Sequence, residues 1–153
     1  MGRRPGSTFF WGVCLAAFLV GGQSSPVVAQ GLVALRVQVI YAANQPGGVD
    51  ARLGGLVGEL QRTFRYSTYQ LLEAPKGSAA LDQPWRVSLP DNRALEITPT
   101  AIQGNQYSLR VHVVAGSGRP LVKTAVRLRR GATVLVGGPK HQQGVLIIAI
   151  SAG

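Results

Sequence analysis

Cysteine occurs once in these 153 residues, at Cys14, and histidine only twice. A lone cysteine excludes an intrachain disulfide framework and a cysteine-rich zinc site. Two histidines leave little for a His-based metal site. Acidic residues are scarce as well: six stand against sixteen Lys and Arg, a formal charge of +10. Charged residues make up 14% and hydrophobic residues 46% of the chain, which excludes a disordered polyelectrolyte. No apolar run approaches the roughly 20 residues of a membrane-spanning helix. One domain fits the length.

What is there begins with an address. Arg3 and Arg4 precede an apolar run from Phe9 to Val20, Gly21 to Pro26 breaks it, and Val27-Val28-Ala29 offers small residues for a peptidase. This is the order of a secretory signal peptide, and it predicts residues 1–29 as a leader cleaved after Ala29. Cys14 leaves with the leader. Loss of Arg3 and Arg4 from the sixteen basic residues leaves fourteen against six acidic, or +8. The short apolar region and the Val-x-Ala site fit a bacterial protein exported to the periplasm or beyond, with no transmembrane span in its mature form.

The mature chain, 30–153, reads as a single α+β domain. Val33, Leu35, Val37, Val39 and Tyr41 alternate with Arg36 and Gln38, the period of a half-buried strand. Asp50 stands at a helix N-cap position, and Leu53, Leu56, Val57, Leu60 and Phe64 follow at helical spacing, predicting a helix over 51–64. Arg62 and Arg65 fall in its last turn. Gly54, Gly55 and Gly58 weaken that helix, unless glycine serves a close approach to a sheet. Seven short strands follow, near residues 65–72, 85–89, 95–98, 107–113, 122–129, 133–136 and 145–150. Ala74 to Gly77, Pro90 to Arg93, Gly104-Asn105, Gly116 to Gly118, Gly137 to Pro139 and Pro139 to Gly144 read as turns or loops. The pattern predicts a strand-helix start, then a mainly antiparallel sheet or small sandwich, with one helix packed on a face. Val145 to Ile150 is apolar on both faces, so it belongs where both faces are covered. An eight-stranded membrane barrel fits poorly: the strands are short and the few aromatics form no girdles.

Chemistry is harder to find. Asp50 reads as a cap, Asp82 and Asp91 as turn residues, and Glu59 and Glu96 as outward-facing, so no carboxylate pair stands out. No serine has the context of an activated nucleophile, His112 lies on a polar strand face and His141 in a loop. Phosphate-binding and cofactor motifs are missing from the sequence, which points away from an enzyme. The basic residues are the remaining signal. Lys123, Arg127 and Arg129 share one strand face, with Arg130, Lys140 and His141 in nearby turns. Lys123, Arg127, Arg129 and Lys140 are candidates for an anionic ligand such as lipopolysaccharide, anionic lipid or another polyanion. Arg65, Tyr66 and Tyr69, beside Phe64, are candidates for a partner contact, since Tyr and Arg dominate binding hot spots. The same residues also suit helix-to-strand packing, with Phe64 expected buried. Nucleic acid would demand stacking aromatics on the basic face.

Two stretches carry a likeness. One runs Val39 to Asn44, Gly47 to Asp50, Arg52-Leu53 and Phe64 to Tyr69; the other runs Leu128 to Pro139 and closes with Gly144 to Ile148. Together they resemble a group of small bacterial secreted or periplasmic proteins, a resemblance that implies no particular activity. The second stretch is also similar, over about a dozen residues, to the strand pairs of secretin outer-membrane domains. That likeness implies a place beside a secretion or pilus assembly. The expectation is a non-enzymatic module that binds or assembles in the envelope, partnered by an envelope protein or an anionic surface. A hydrolase is the third possibility.

Overall fold

The computed structural model describes residues 32–153. The expected signal peptide and its cleavage site lie outside them. The described residues form a β-rich fold, with nine strands in two antiparallel sheets and one α-helix.

The chain enters on β1 (Val33–Ala43) and passes a 3-10 turn (Ala51–Leu53) and α1 (Leu56–Thr63). It returns along β2 (Thr68–Glu73) and β3 (Lys76–Ala79). It then crosses over and runs β4 (Trp85–Leu89), β5 (Arg93–Gln103), β6 (Gln106–Val114) and β7 (Pro120–Arg129) as a meander. β8 (Thr133–His141) and β9 (Gly144–Ala152) cross back. Sheet I has the order β2-β1-β9-β8, with β3 on the same side of β1 as β2; sheet II is β4-β5-β6-β7.

Alternation builds the main core. Val33, Leu35, Val37 and Val39 of β1, with Leu146, Ile148 and Ile150 of β9, face Leu95, Ile97, Leu109, Val111 and Val113 of sheet II. The opposite face of sheet I has its own apolar patch. Ile40 and Ala42 of β1 and Ile147 and Ala149 of β9 pack against Leu53, Leu60, Tyr69 and Leu71. β9 is therefore covered on both faces, as its unbroken apolar run requires. Sheet II packs on one side only, and its outer side is polar. That is the reverse of the outward apolar band of a transmembrane barrel. Among the described residues no helix is long and apolar enough to cross a membrane.

Several sequence expectations need correcting. The predicted helix over 51–64 is divided: Gly54 takes φ +51°, a conformation glycine tolerates, and the α-helix starts only at Leu56. A Cβ at Gly54, Gly55 or Gly58 would meet nothing within 4 Å, so close approach to the sheet is not the reason for these glycines. Arg65 lies beyond the helix end, because Phe64 is already extended at the C-cap. The strand expected from residue 65 begins at Thr68, since Ser67 N is taken by Asn44 Oδ1 and Tyr66 N by the Tyr69 hydroxyl.

β3 was not foreseen. It continues the edge strand after an interruption at Pro75, which has no N–H for the ladder, while the Pro75 carbonyl still accepts from Val37 N at 3.0 Å. Gly137 to Pro139 is not a turn but part of β8, with the register slipping between Gly137 and Lys140. Gly138 is needed there because a Cβ would stand 2.8 Å from the Leu146 carbonyl. The expected polar loop shrinks to the turn at Gln142-Gln143, with Gln142 at φ +51°.

Candidate functional site

The outer side of sheet II gathers the basic residues in cross-strand rows. Arg86 stands opposite Glu96, Glu96 opposite His112, and His112 opposite Lys123. In the next rows Arg110 pairs with Ala125, Ser108 with Arg127 and Gln106 with Arg129. Strict alternation puts these residues on one face while Val111, Val113 and Leu128 turn into the core. Arg86, Arg110, Lys123, Arg127 and Arg129 are exposed. From Lys123 to Arg129 the cationic row on β7 spans roughly 20 Å at a strand's rise of about 3.3 Å per residue. Glu96 is the one carboxylate in these rows, and Arg86 Nη1 engages it at 2.9 Å.

Three of the four residues expected to hold an anion thus share this face. Lys140 does not: it is exposed on β8 of the other sheet, where its carbonyl accepts from Arg93 Nη1 at 2.8 Å. Arg86 and Arg110 belong to the face but escaped the sequence reading. Only the register places them beside β7, although their alternation with buried neighbours was visible. Arg130 lies off the end of β7 and donates to the Tyr107 hydroxyl at 3.2 Å.

The aromatic group is arranged differently. Arg65 is exposed and Tyr66 half-buried, but Tyr69 is 1% exposed and belongs to the core. As an external contact, Tyr69 is corrected by its burial. Its hydroxyl accepts from Tyr66 N at 3.3 Å and turns its hydrogen to the Phe64 carbonyl at 2.8 Å, with the Leu60 carbonyl at 3.2 Å. Both carbonyls lie at the C-terminal end of α1; that of Leu60 also accepts from Phe64 N at 2.8 Å, while that of Phe64, at the C-cap, lies beyond the helical ladder. Tyr66 packs edge-on to Tyr69 with ring centroids 6.5 Å apart. Phe64 is half-buried rather than buried.

His141 does not lie in a loop. It ends β8 at 8% exposure, with Nδ1 2.9 Å from Asp91 Oδ2 and 3.1 Å from Arg93 Nη2. Arg93 also donates to the Pro90 carbonyl at 2.9 Å. The group ties the β4-β5 turn of sheet II to the end of sheet I. A neutral imidazole either donates from Nδ1 to Asp91 or accepts there from Arg93, so this nitrogen serves one of them at a time.

Asp50 and Arg52 form a second fixed pair. The carboxylate accepts from Arg52 N at 3.0 Å, from the Arg52 guanidinium at 2.7 Å and from Leu71 N at 3.2 Å. Arg52 Nη2 in turn donates to the Leu71 carbonyl at 2.9 Å. Two side chains thereby occupy the ladder positions at Leu71 that a neighbouring strand would use, covering the edge of β2. The Arg52 side-chain hydrogen bond, then the backbone N–H of Arg52 and that of Leu71, hold the Asp50 carboxyl well below the usual carboxylate range. The same carboxylate raises the Arg52 guanidinium.

Among the described residues no group of three or more His, Cys, Asp or Glu stands close enough to hold a metal ion. Comparison of the chain with protein-family models, with curated proteins and with solved structures gave no match.

Proposed function

We infer that the chain is a small exported binding module of the bacterial envelope, acting without catalysis, and that the outer face of sheet II is its contact surface for an anionic partner. The observation that carries this reading is the set of cross-strand rows. Five exposed cations share one face with a single carboxylate, which Arg86 already engages. A face of this sign attracts lipopolysaccharide, anionic lipid or another polyanion. The leader sequence supports export, and the resemblance to small secreted proteins agrees with it. The burial of Tyr69 removes one of the two tyrosines of the alternative contact, leaving Arg65 and the half-buried Tyr66.

The test is binding of the purified protein to vesicles of phosphatidylglycerol, with phosphatidylcholine as the neutral match. Binding to the anionic vesicles alone, falling as salt shortens the screening length from about 10 Å at 0.1 M to about 3 Å at 1 M, is the expected result. Equal binding to both, or binding unmoved by salt, would contradict it.

A further inference from the structure

The helix covers only part of sheet I. Beside its first turn lies a cleft of about 560 Å³, a size typical of small-molecule sites. Its floor is one continuous cross-strand row. Lys76 on β3 is opposite Arg36 on β1, Arg36 is opposite Ser151 on β9, and Ser151 is opposite Thr133 on β8. All four line the cleft, and Glu59 of α1 stands in its wall. Ser151 Oγ and Thr133 Oγ1 are hydrogen-bonded at 2.8 Å.

The row is unbalanced. Directly opposed residues have Cβ atoms about 5 Å apart, and like charges in that position repel. Arg36 and Lys76 are both exposed cations, and no ion pair among the described residues engages either of them. Glu59 shares the cleft without pairing with them. At a strand spacing of about 4.8 Å the row spans roughly 14 Å, enough for one or two sugar rings. One half offers two cations, the other two hydroxyls.

We propose that this row binds a small hydroxylated carboxylate of the sugar-acid class. The carboxylate bridges the Arg36 guanidinium and the Lys76 ammonium and offsets their repulsion. Its hydroxyls lie over Ser151 and Thr133, which both donate and accept. Glu59 accepts from a further hydroxyl and disfavours a second negative charge. The site is on the sheet opposite the cationic face, so it stands or falls independently of that face.

The experiment is a two-dimensional amide NMR titration of the purified protein with glucuronate, with glucose as the neutral match and inorganic phosphate as the compact polyanion. The proposal expects saturable shifts at Arg36, Lys76, Ser151 and Thr133 with glucuronate alone, at a Kd of about 1 mM or tighter. Lys76→Gln and Arg36→Gln each weaken binding about tenfold, the loss of one charge-assisted hydrogen bond. Arg127→Gln on the other sheet leaves it unchanged. Shifts of equal size with glucose or phosphate, no saturable shift with glucuronate, or full binding by a folded Lys76→Gln would overturn the proposal. Lys76 is exposed near the strand edge, so this variant carries the test even if Arg36→Gln does not fold.

Discussion

The Tyr69 hydroxyl turns its hydrogen to the Phe64 carbonyl at 2.8 Å, so a residue of β2 closes the end of the helix that precedes it. The Leu60 carbonyl is within reach of the same hydroxyl, and the Tyr66 amide donates to it. Eight residues are too few for a helix to persist alone, and two of its neighbours in the approach are glycines. Tertiary anchoring therefore has to hold it.

Tyr69→Phe keeps the ring and removes the anchor. It leaves the part-buried Phe64 carbonyl without this donor, which costs about 1–2 kcal/mol. For a domain of this size the expected fall in Tm is roughly 3–8 °C. Thermal unfolding followed by circular dichroism checks this. An unchanged Tm would mean that water replaces the hydroxyl at no cost.

Arg93 makes the corresponding link between the sheets. Its side chain is 9% exposed and reaches two carbonyls, Asp91 and His141. Arg93→Met takes the donor from the part-buried Pro90 carbonyl and cuts the tie to His141, and should destabilise the fold by roughly 1–2 kcal/mol in denaturant unfolding. Arg93→Lys should recover little, because an ammonium does not reproduce the planar fork. Full recovery by lysine would show that charge alone matters there.

Asp50 gives a pH dependence with a definite sign. Its carboxyl is held below the ordinary value in the folded chain. Its contribution is fully present above the unfolded carboxylate pKa of about 3.9 and is lost as pH falls toward the folded value. Asp50→Asn should therefore be less stable than the parent at pH 7, and the gap should narrow below about pH 4. Tm measured for both proteins from pH 7 to pH 2.5 tests this. A gap that stays constant across that range would contradict the role given to the ionised carboxylate.

The parts of this fold that were legible in the sequence are those in which periodicity speaks for one residue at a time. Val33 to Val39 alternate, and β1 is where they predict it. Val145 to Ile150 do not alternate, and β9 is buried on both faces. Asp91 and Asn92 both take positive φ, as suits the short polar residues read as a turn. What was not legible depends on distant partners. β3 exists because Arg36 and Lys76 come into register across some forty intervening residues, with Pro75 merely kinking the edge. Gly137 and Gly138 look like a turn, yet both sit in β8, and at Gly138 Leu146 passes too close for a side chain. Tyr69 looks like a surface hot spot until the helix end is placed above it. The β7 stripe was readable as Lys123, Arg127 and Arg129, whereas Arg86 and Arg110 join it only through pairing with β5, β6 and β7.

Charge placement on sheet I makes a further prediction about stability without ligand. Lys76→Gln removes one member of an opposed like-charge pair at an exposed site. Stability should stay level or rise by up to about 0.5 kcal/mol. A clear loss in denaturant unfolding would mean that the Lys76 stem, rather than its charge, is what the fold uses.

The most direct measurement for the binding role is charge reversal on β7. Lys123, Arg127 and Arg129 are exposed and turned away from the core, so the triple change to Glu should fold. Its affinity for phosphatidylglycerol vesicles at about 0.1 M salt should then be lost, while reversal of Arg62 and Arg65 leaves affinity nearly unchanged. If the β7 triple variant binds as the parent does, the outer face of sheet II is a solvated surface and the contact lies elsewhere.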